Sequence, residues 1–213
     1  MKRIAWILGG LVGLVGLALF TLRMAAPNVI EAGQKATERQ AVEAMRTLLW
    51  AQDRFIERYG RAGRLGELAG RVALQPPLGS QLVRPPLDVG VPLVDGEGAI
   101  ASGYVFRIHV LDAQGQAVPE GAPVPAGASR WIAYAWPEKR GESARFAFCI
   151  NEFEDILQSP ADGPHQGYDG VNHPPAWNAC PVAARLAPGA GGDGGTWDYW
   201  RGKRTRRARA SDP

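Results

Sequence analysis

The stretch Ala41-Val42-Glu43-Ala44-Met45-Arg46-Thr47-Leu48-Leu49-Trp50-Ala51-Gln52-Asp53-Arg54-Phe55-Ile56-Glu57-Arg58-Tyr59-Gly60 decides how the chain is read. Ala41, Met45, Leu48, Gln52, Phe55 and Tyr59 recur at alternating spacings of four and three, and Val42, Leu49 and Ile56 widen the stripe. That period belongs to a helix with one apolar face. Glu31, Lys35, Glu38, Arg39, Glu43, Arg46, Asp53 and Arg54 fall mostly on the other face. No proline interrupts 28–59, and Gly60 is placed to end the helix in a left-handed cap. The apolar half is the C-terminal one, so the helix is expected to bury its distal half and leave its proximal half uncovered.

Upstream, Lys2 and Arg3 precede nineteen uncharged residues, Ile4 to Leu22, and Arg23 closes the run. A helix of that length spans about 28 Å, close to the hydrocarbon thickness of a bilayer. The run is longer than the apolar core of a cleaved signal peptide, and Arg23 and Met24 interrupt the small residues before Ala25 and Ala26. The reading is a retained single-pass anchor over 1–27. Its leading positive charges keep the N-terminus in the cytoplasm and place residues 24–213 on the exported side. Pro27 either kinks one continuous helix or starts a second one over 28–60.

Downstream, Pro76-Pro77, Pro85-Pro86 and Pro92 make 61–103 a long irregular connection, with Leu65 and Leu68 docking in one short turn. Three alternating segments come next. They are Tyr104 to Val110, Arg130 to Trp136, and Ala144 to Ile150, the last with Cys149 on the side opposite Phe148 and Ile150. Short links between them predict an antiparallel meander of three to four strands covering the helix stripe, an α+β fold. Cys149 should point away from the helix, and Cys180 lies in a proline-rich loop. In an exported protein a Cys149–Cys180 disulfide would pin that loop over the outer face of the sheet. The globular part is therefore placed at 61–185, and 186–213 is read as a glycine-rich linker with an aromatic and basic tail.

The stretch from Ala26-Pro27-Asn28 through Glu38, Ala41-Val42, Arg46-Thr47 and Ala51-Gln52 to Tyr59-Gly60 resembles the first helix of type IV pilin-like proteins and pseudopilins. Gly103-Tyr104, Ala135-Trp136-Pro137 and Phe146 to Ile150 are loosely similar in order and spacing. The resemblance implies a long N-terminal helix packed on an antiparallel sheet, and a structural or accessory role at the inner membrane in a secretion or pilus-type system. Its implied partners are the membrane and other pilin-like or secretion-system subunits, with the domain periplasmic or extracellular. Two family features are missing. With Pro27 aligned to the family's helix proline, Ala5 stands where the leader's cleavage Gly would be, and Gly10 where the membrane-buried Glu would be.

Composition fits this plan. The 213 residues include 27 Gly and 17 Pro, too many for a helical bundle, and only two Cys, too few for a disulfide-dense scaffold. The net charge of +3 conceals a nearly neutral body and a basic C-terminus. No nucleophile elbow, P-loop, zinc-protease or C-x-x-C motif is present, so no catalytic residue is assigned and the protein is read as a non-enzyme. His109 is expected to be solvent-exposed on a polar strand face.

Two sets of residues are candidate binding groups. Asp162, His165, Asp169 and His173, between glycines, carry oxygen and imidazole donors for calcium or another metal, though their spacing matches no EF-hand, zinc-protease or zinc-finger pattern. Otherwise no cofactor is expected. Trp197, Tyr199 and Trp200, followed by Arg201, Lys203, Arg204, Arg206, Arg207 and Arg209, suit an anionic lipid or envelope polymer. No specific nucleic-acid site is read. A binding module acting through this loop and tail is the alternative to the structural role.

Overall fold

The computed structural model describes residues 2–72, 74, 93–94, 98–160, 168–181 and 185–200; for residues 2–29 it describes the backbone alone. The chain divides into two units, 1–36 and 37–213. The first is helical throughout its described length. It is the start of α1, Lys2–Tyr59, which runs unbroken through Pro27, so the proline neither ends a helix nor starts one. The anchor expected over 1–27 falls on residues whose side chains lie outside the description. Among the described residues no helix is long and apolar enough to cross a membrane.

The second unit is α+β. The rest of α1 lies on an antiparallel sheet of eight strands, twice the size expected from the alternating segments. The strands are β1 Leu93–Val94, β2 Gly98–Ala101, β3 Tyr104–Val110, β4 Trp131–Pro137, β5 Phe146–Asn151, β6 Ile156–Pro160, β7 Gly189–Ala190 and β8 Thr196–Tyr199. Their spatial order is β1-β2-β3-β4-β5-β6-β8-β7, so the meander runs unbroken to β6 and the C-terminal hairpin closes it. The connection expected to be irregular over 61–103 thus contributes two strands and a single turn of helix, α2 Leu65–Leu68.

The alternation in β3 to β5 sorts residues as the sequence predicts. Ala41, Val42, Met45, Leu48, Ala51 and Phe55 of α1 share one core with Tyr104, Phe106, Ile108, Val110, Trp131, Ala133, Ala135, Phe148 and Ile150. Gln52 belongs to the buried stripe although it is polar. Its side-chain amide donates to the Gly63 carbonyl at 2.6 Å and accepts from the Gly63 N–H at 2.9 Å. A buried amide with both halves satisfied carries little penalty. Gly60, at φ 69°, caps the helix, and its N–H reaches the Ile56 carbonyl at 2.8 Å.

The sheet's outer face carries a second core. Val105, Leu111, Ile132, Tyr134, Trp136, Ala147, Cys149 and Leu157 pack against Tyr168, Ala179, Cys180, Leu186 and Trp197. The Cys149–Cys180 disulfide is formed and ties the 168–181 segment to this face.

Residues expected to be a flexible linker and tail are part of the fold as far as Trp200. Gly191 and Gly192 are there because backbone passes close by, and flexibility is not their role. A Cβ on Gly191 would sit 1.6 Å from the Ala179 carbonyl oxygen, and one on Gly192 would sit 2.4 Å from the Asn178 amide. The Gly192 N–H also donates to the Asn178 carbonyl at 2.8 Å. Gly191→Ala is expected to lift the β7–β8 hairpin off the disulfide loop and destabilise the domain by about 1–3 kcal/mol, an overpacking cost. Chemical denaturation followed through tryptophan fluorescence measures it.

Candidate interaction surface

The disulfide loop is held by aromatic side chains that reach through the outer core. Tyr134 Oη donates to the Trp177 carbonyl at 2.9 Å and accepts from the Cys180 N–H at 3.0 Å. Trp136 Nε1 donates to the Gly170 carbonyl at 2.7 Å. Tyr168 Oη donates to the Asp193 carboxylate, which ties the loop to the hairpin. Burial pushes the Tyr134 phenol far above its usual pKa, so it stays a neutral hydrogen-bonding strut.

Of the metal candidates, Asp162 and His165 lie outside the described residues. Asp169 and His173 come together, but through backbone pairing of one to the other. The Asp169 carboxylate accepts from the Arg140 N–H at 2.8 Å and so serves as a turn cap. Among the described residues no three His, Cys, Asp or Glu side chains converge on a point.

His109 differs from expectation. It is mostly buried on the outer face, edge-on to the Tyr134 ring at 5.9 Å between centroids. Burial, then the Arg107 and Arg64 guanidinium groups, push its pKa down to about 4. An unfolded imidazole titrates near 6.5, so between these values the unfolded chain binds the proton first. Stability is therefore full above about pH 6.5 and is lost as the pH falls toward 4. The expected loss is about 2 kcal/mol after allowance for solvent screening. In parallel denaturation series, His109→Gln should remove that part of the pH dependence.

The basic-aromatic set divides. Trp197 is 1% exposed and packs edge-on against Tyr134 at 6.1 Å, so it is a core residue and cannot meet a partner. Its place in the expected binding set is corrected accordingly. Its position in β8, one side chain to each face, is what buries it. Tyr199 is 36% exposed. Trp200 is half-buried beside the helix, and the Arg46 guanidinium lies 5.6 Å from its ring centroid. Arg201, Lys203, Arg204, Arg206, Arg207 and Arg209 lie outside the described residues.

Compared with protein-family models, with curated proteins and with solved structures, the chain matches none.

One exposed group escaped the sequence reading. Trp50 is 54% exposed on the outward face of α1, with the Arg54 guanidinium 5.7 Å from its ring centroid. Arg46, Trp50 and Arg54 are spaced by four and so form one stripe, which begins at Trp200. Arg46 and Arg54 also pair with Glu43 and Glu57. The clue was a large apolar residue off the stripe of Met45, Leu48 and Phe55. The result is a surface of alternating rings and guanidinium groups on one helix face.

Proposed function

We propose that the protein is a non-enzymatic, membrane-anchored and exported component of pilin-like plan, serving a secretion or pilus-type assembly as a structural or accessory subunit. The observation that carries this reading is α1, Lys2–Tyr59. One uninterrupted helix begins in the uncharged run Ile4 to Leu22 and ends as the stripe that an antiparallel sheet buries. The Cys149–Cys180 disulfide supports it, because such bonds persist in oxidising compartments outside the cytoplasm. The missing leader Gly and membrane Glu argue for an accessory that stays in the membrane rather than a processed filament subunit. The test is membrane fractionation with protease added from the exported side, combined with the mass of the mature N-terminus. Expected are membrane retention, digestion of the domain from outside and an intact Met1. Reduced thiols in a soluble fraction would overturn the reading, and a cleaved, methylated N-terminus would overturn the accessory assignment.

The stacking of Arg46 on Trp200, at the root of the basic tail, favours a second reading, in which the C-terminus and the Trp50 stripe capture a polyanion. Deleting 201–213 should then abolish salt-sensitive binding to heparin, used as a soluble polyanion. Undiminished binding would remove the tail from the function.

A further inference from the structure

The outward face of α1 reads the same in both directions. At about 100° per residue, Trp50 points directly away from the stripe of Met45, Leu48 and Phe55 that the core takes. Arg46 and Arg54 stand four residues before and after it, and Glu43 and Glu57 seven before and after. All four lie within about 40° of Trp50 around the helix. Glu43 and Arg54 fall on one flank, Arg46 and Glu57 on the other. At each end of the face, therefore, the two flanks carry opposite charges.

The face is open. Trp50 is 54% exposed, and the four charged side chains around it are exposed as well. Within the chain Arg46 pairs with Glu43, and Arg54 with Glu57. Arg54 also lies over the Trp50 ring at 5.7 Å, and Arg46 over the Trp200 ring at 5.6 Å, which fixes where both guanidinium groups sit. A carboxylate held by one guanidinium keeps acceptor capacity for a second. Exposed pairs at this spacing add little to the stability of one chain. A large ring at the centre of a solvent face, with charges of alternating sign at its four corners, is instead complementary to its own copy.

We propose that this face is a contact between two copies of the chain, with Trp50 against Trp50 at its centre and α1 running the same way in both. A two-fold axis parallel to the helices then lays each flank on the opposite flank of the second copy. Arg46 comes beside Glu43 of the second copy, and Arg54 beside Glu57 of the second copy. Burial of the two rings supplies the affinity, and the charges set the register. The shared direction rests on the membrane-anchored reading above, because chains anchored in one bilayer point the same way; the pairing does not. One helix face is much smaller than the roughly 1,200 Å² of a stable interface. The pair is therefore weak in free solution and forms where a shared bilayer raises the local concentration.

Arg39 is exposed on the same face, about 20° from Trp50 around the helix and outside the mirrored set. Arg39→Cys gives the chain a single free thiol, because Cys149 and Cys180 are joined. A short bismaleimide should link two such full-length chains reconstituted in phosphatidylcholine vesicles. Trp50→Ala should lower the yield about tenfold. Arg46→Glu with Arg54→Glu should abolish the link, and adding Glu43→Arg and Glu57→Arg should restore it. Denaturation midpoints close to that of the parent chain check that each variant folds. A yield unchanged by Trp50→Ala, or no rescue by the full charge exchange, would overturn the pairing. Antiparallel helices would hold the two thiols about 30 Å apart. A Trp50-dependent dimer seen by light scattering but not linked at residue 39 would thus keep the pairing and overturn the shared direction. Chains that do not stay with the vesicles would overturn the anchored reading, and light scattering of the concentrated full chain, with and without Trp50→Ala, would then decide the pairing.

Discussion

Glu67→Ala is expected to destabilise the domain by about 3–5 kcal/mol, the cost of leaving a buried guanidinium without its counter-charge. Arg61 and Glu67 are only 5% and 2% exposed. Arg61 Nη1 and Nη2 donate to the two Glu67 oxygens at 3.0 and 2.6 Å, and Glu67 Oε2 also accepts from the Arg64 N–H at 3.0 Å. The Arg61 side chain lies over the Phe55 ring at 5.3 Å, so the pair sits beneath the last turns of α1. One carboxylate thus starts α2 and holds the chain that leaves the long helix. Arg61→Met combined with Glu67→Leu should cost much less than either charge removed alone, because it leaves no buried charge unpaired. Denaturation of the two single variants and the double variant measures both effects. Single-variant losses below about 1 kcal/mol would show that the pair is solvated in solution.

The second large effect is expected from Cys149→Ser with Cys180→Ser. The cysteines are 31 residues apart, and opening a loop of that size frees about 3–4 kcal/mol of chain entropy in the unfolded state. Both sulfurs are fully buried, so two hydroxyls would also need partners in an apolar layer. The loss should not be uniform. Amide exchange should rise first in 168–181 and in the β7–β8 hairpin that rests on it, while β3, β4 and β5 stay protected. Uniform loss of protection would show that the outer layer and the sheet unfold together.

The parts of this fold that were legible in the sequence are those where one face is dry and the other differs from it. Met45, Leu48 and Phe55 announce their helix face, and Tyr104 to Val110 announces a strand with its true limits. Cys149 could be assigned to the outer face because Phe148 and Ile150 had to face inward. Legibility fails where the apolar pattern is too sparse to announce the buried face. β6, Ile156–Pro160, offers only two aliphatic side chains and ends in proline, and β8, Thr196–Tyr199, comes after a run of glycines. Gly191 and Gly192 were read as looseness when they are points of closest approach, which only the position of Ala179 and Asn178 reveals. His109 looked polar by alternation, yet its side of β3 is roofed. For the candidate surface, the aromatic content of the C-terminus could not separate Trp197 in the core from Trp200 at the rim. Trp50 belongs to the same surface through folding alone.

The order in which the strands are laid down has a consequence for biogenesis. β6 is flanked by β5 on one side, but its other neighbour, β8, is drawn from residues 196–199, synthesised well after it. A chain that emerges in sequence order therefore presents β6 as a bare edge until residues 196–199 have followed. During that interval the exposed ladder is a template for mispairing. Arrival of Thr196–Tyr199 covers that edge, and a product terminated before it keeps the edge open.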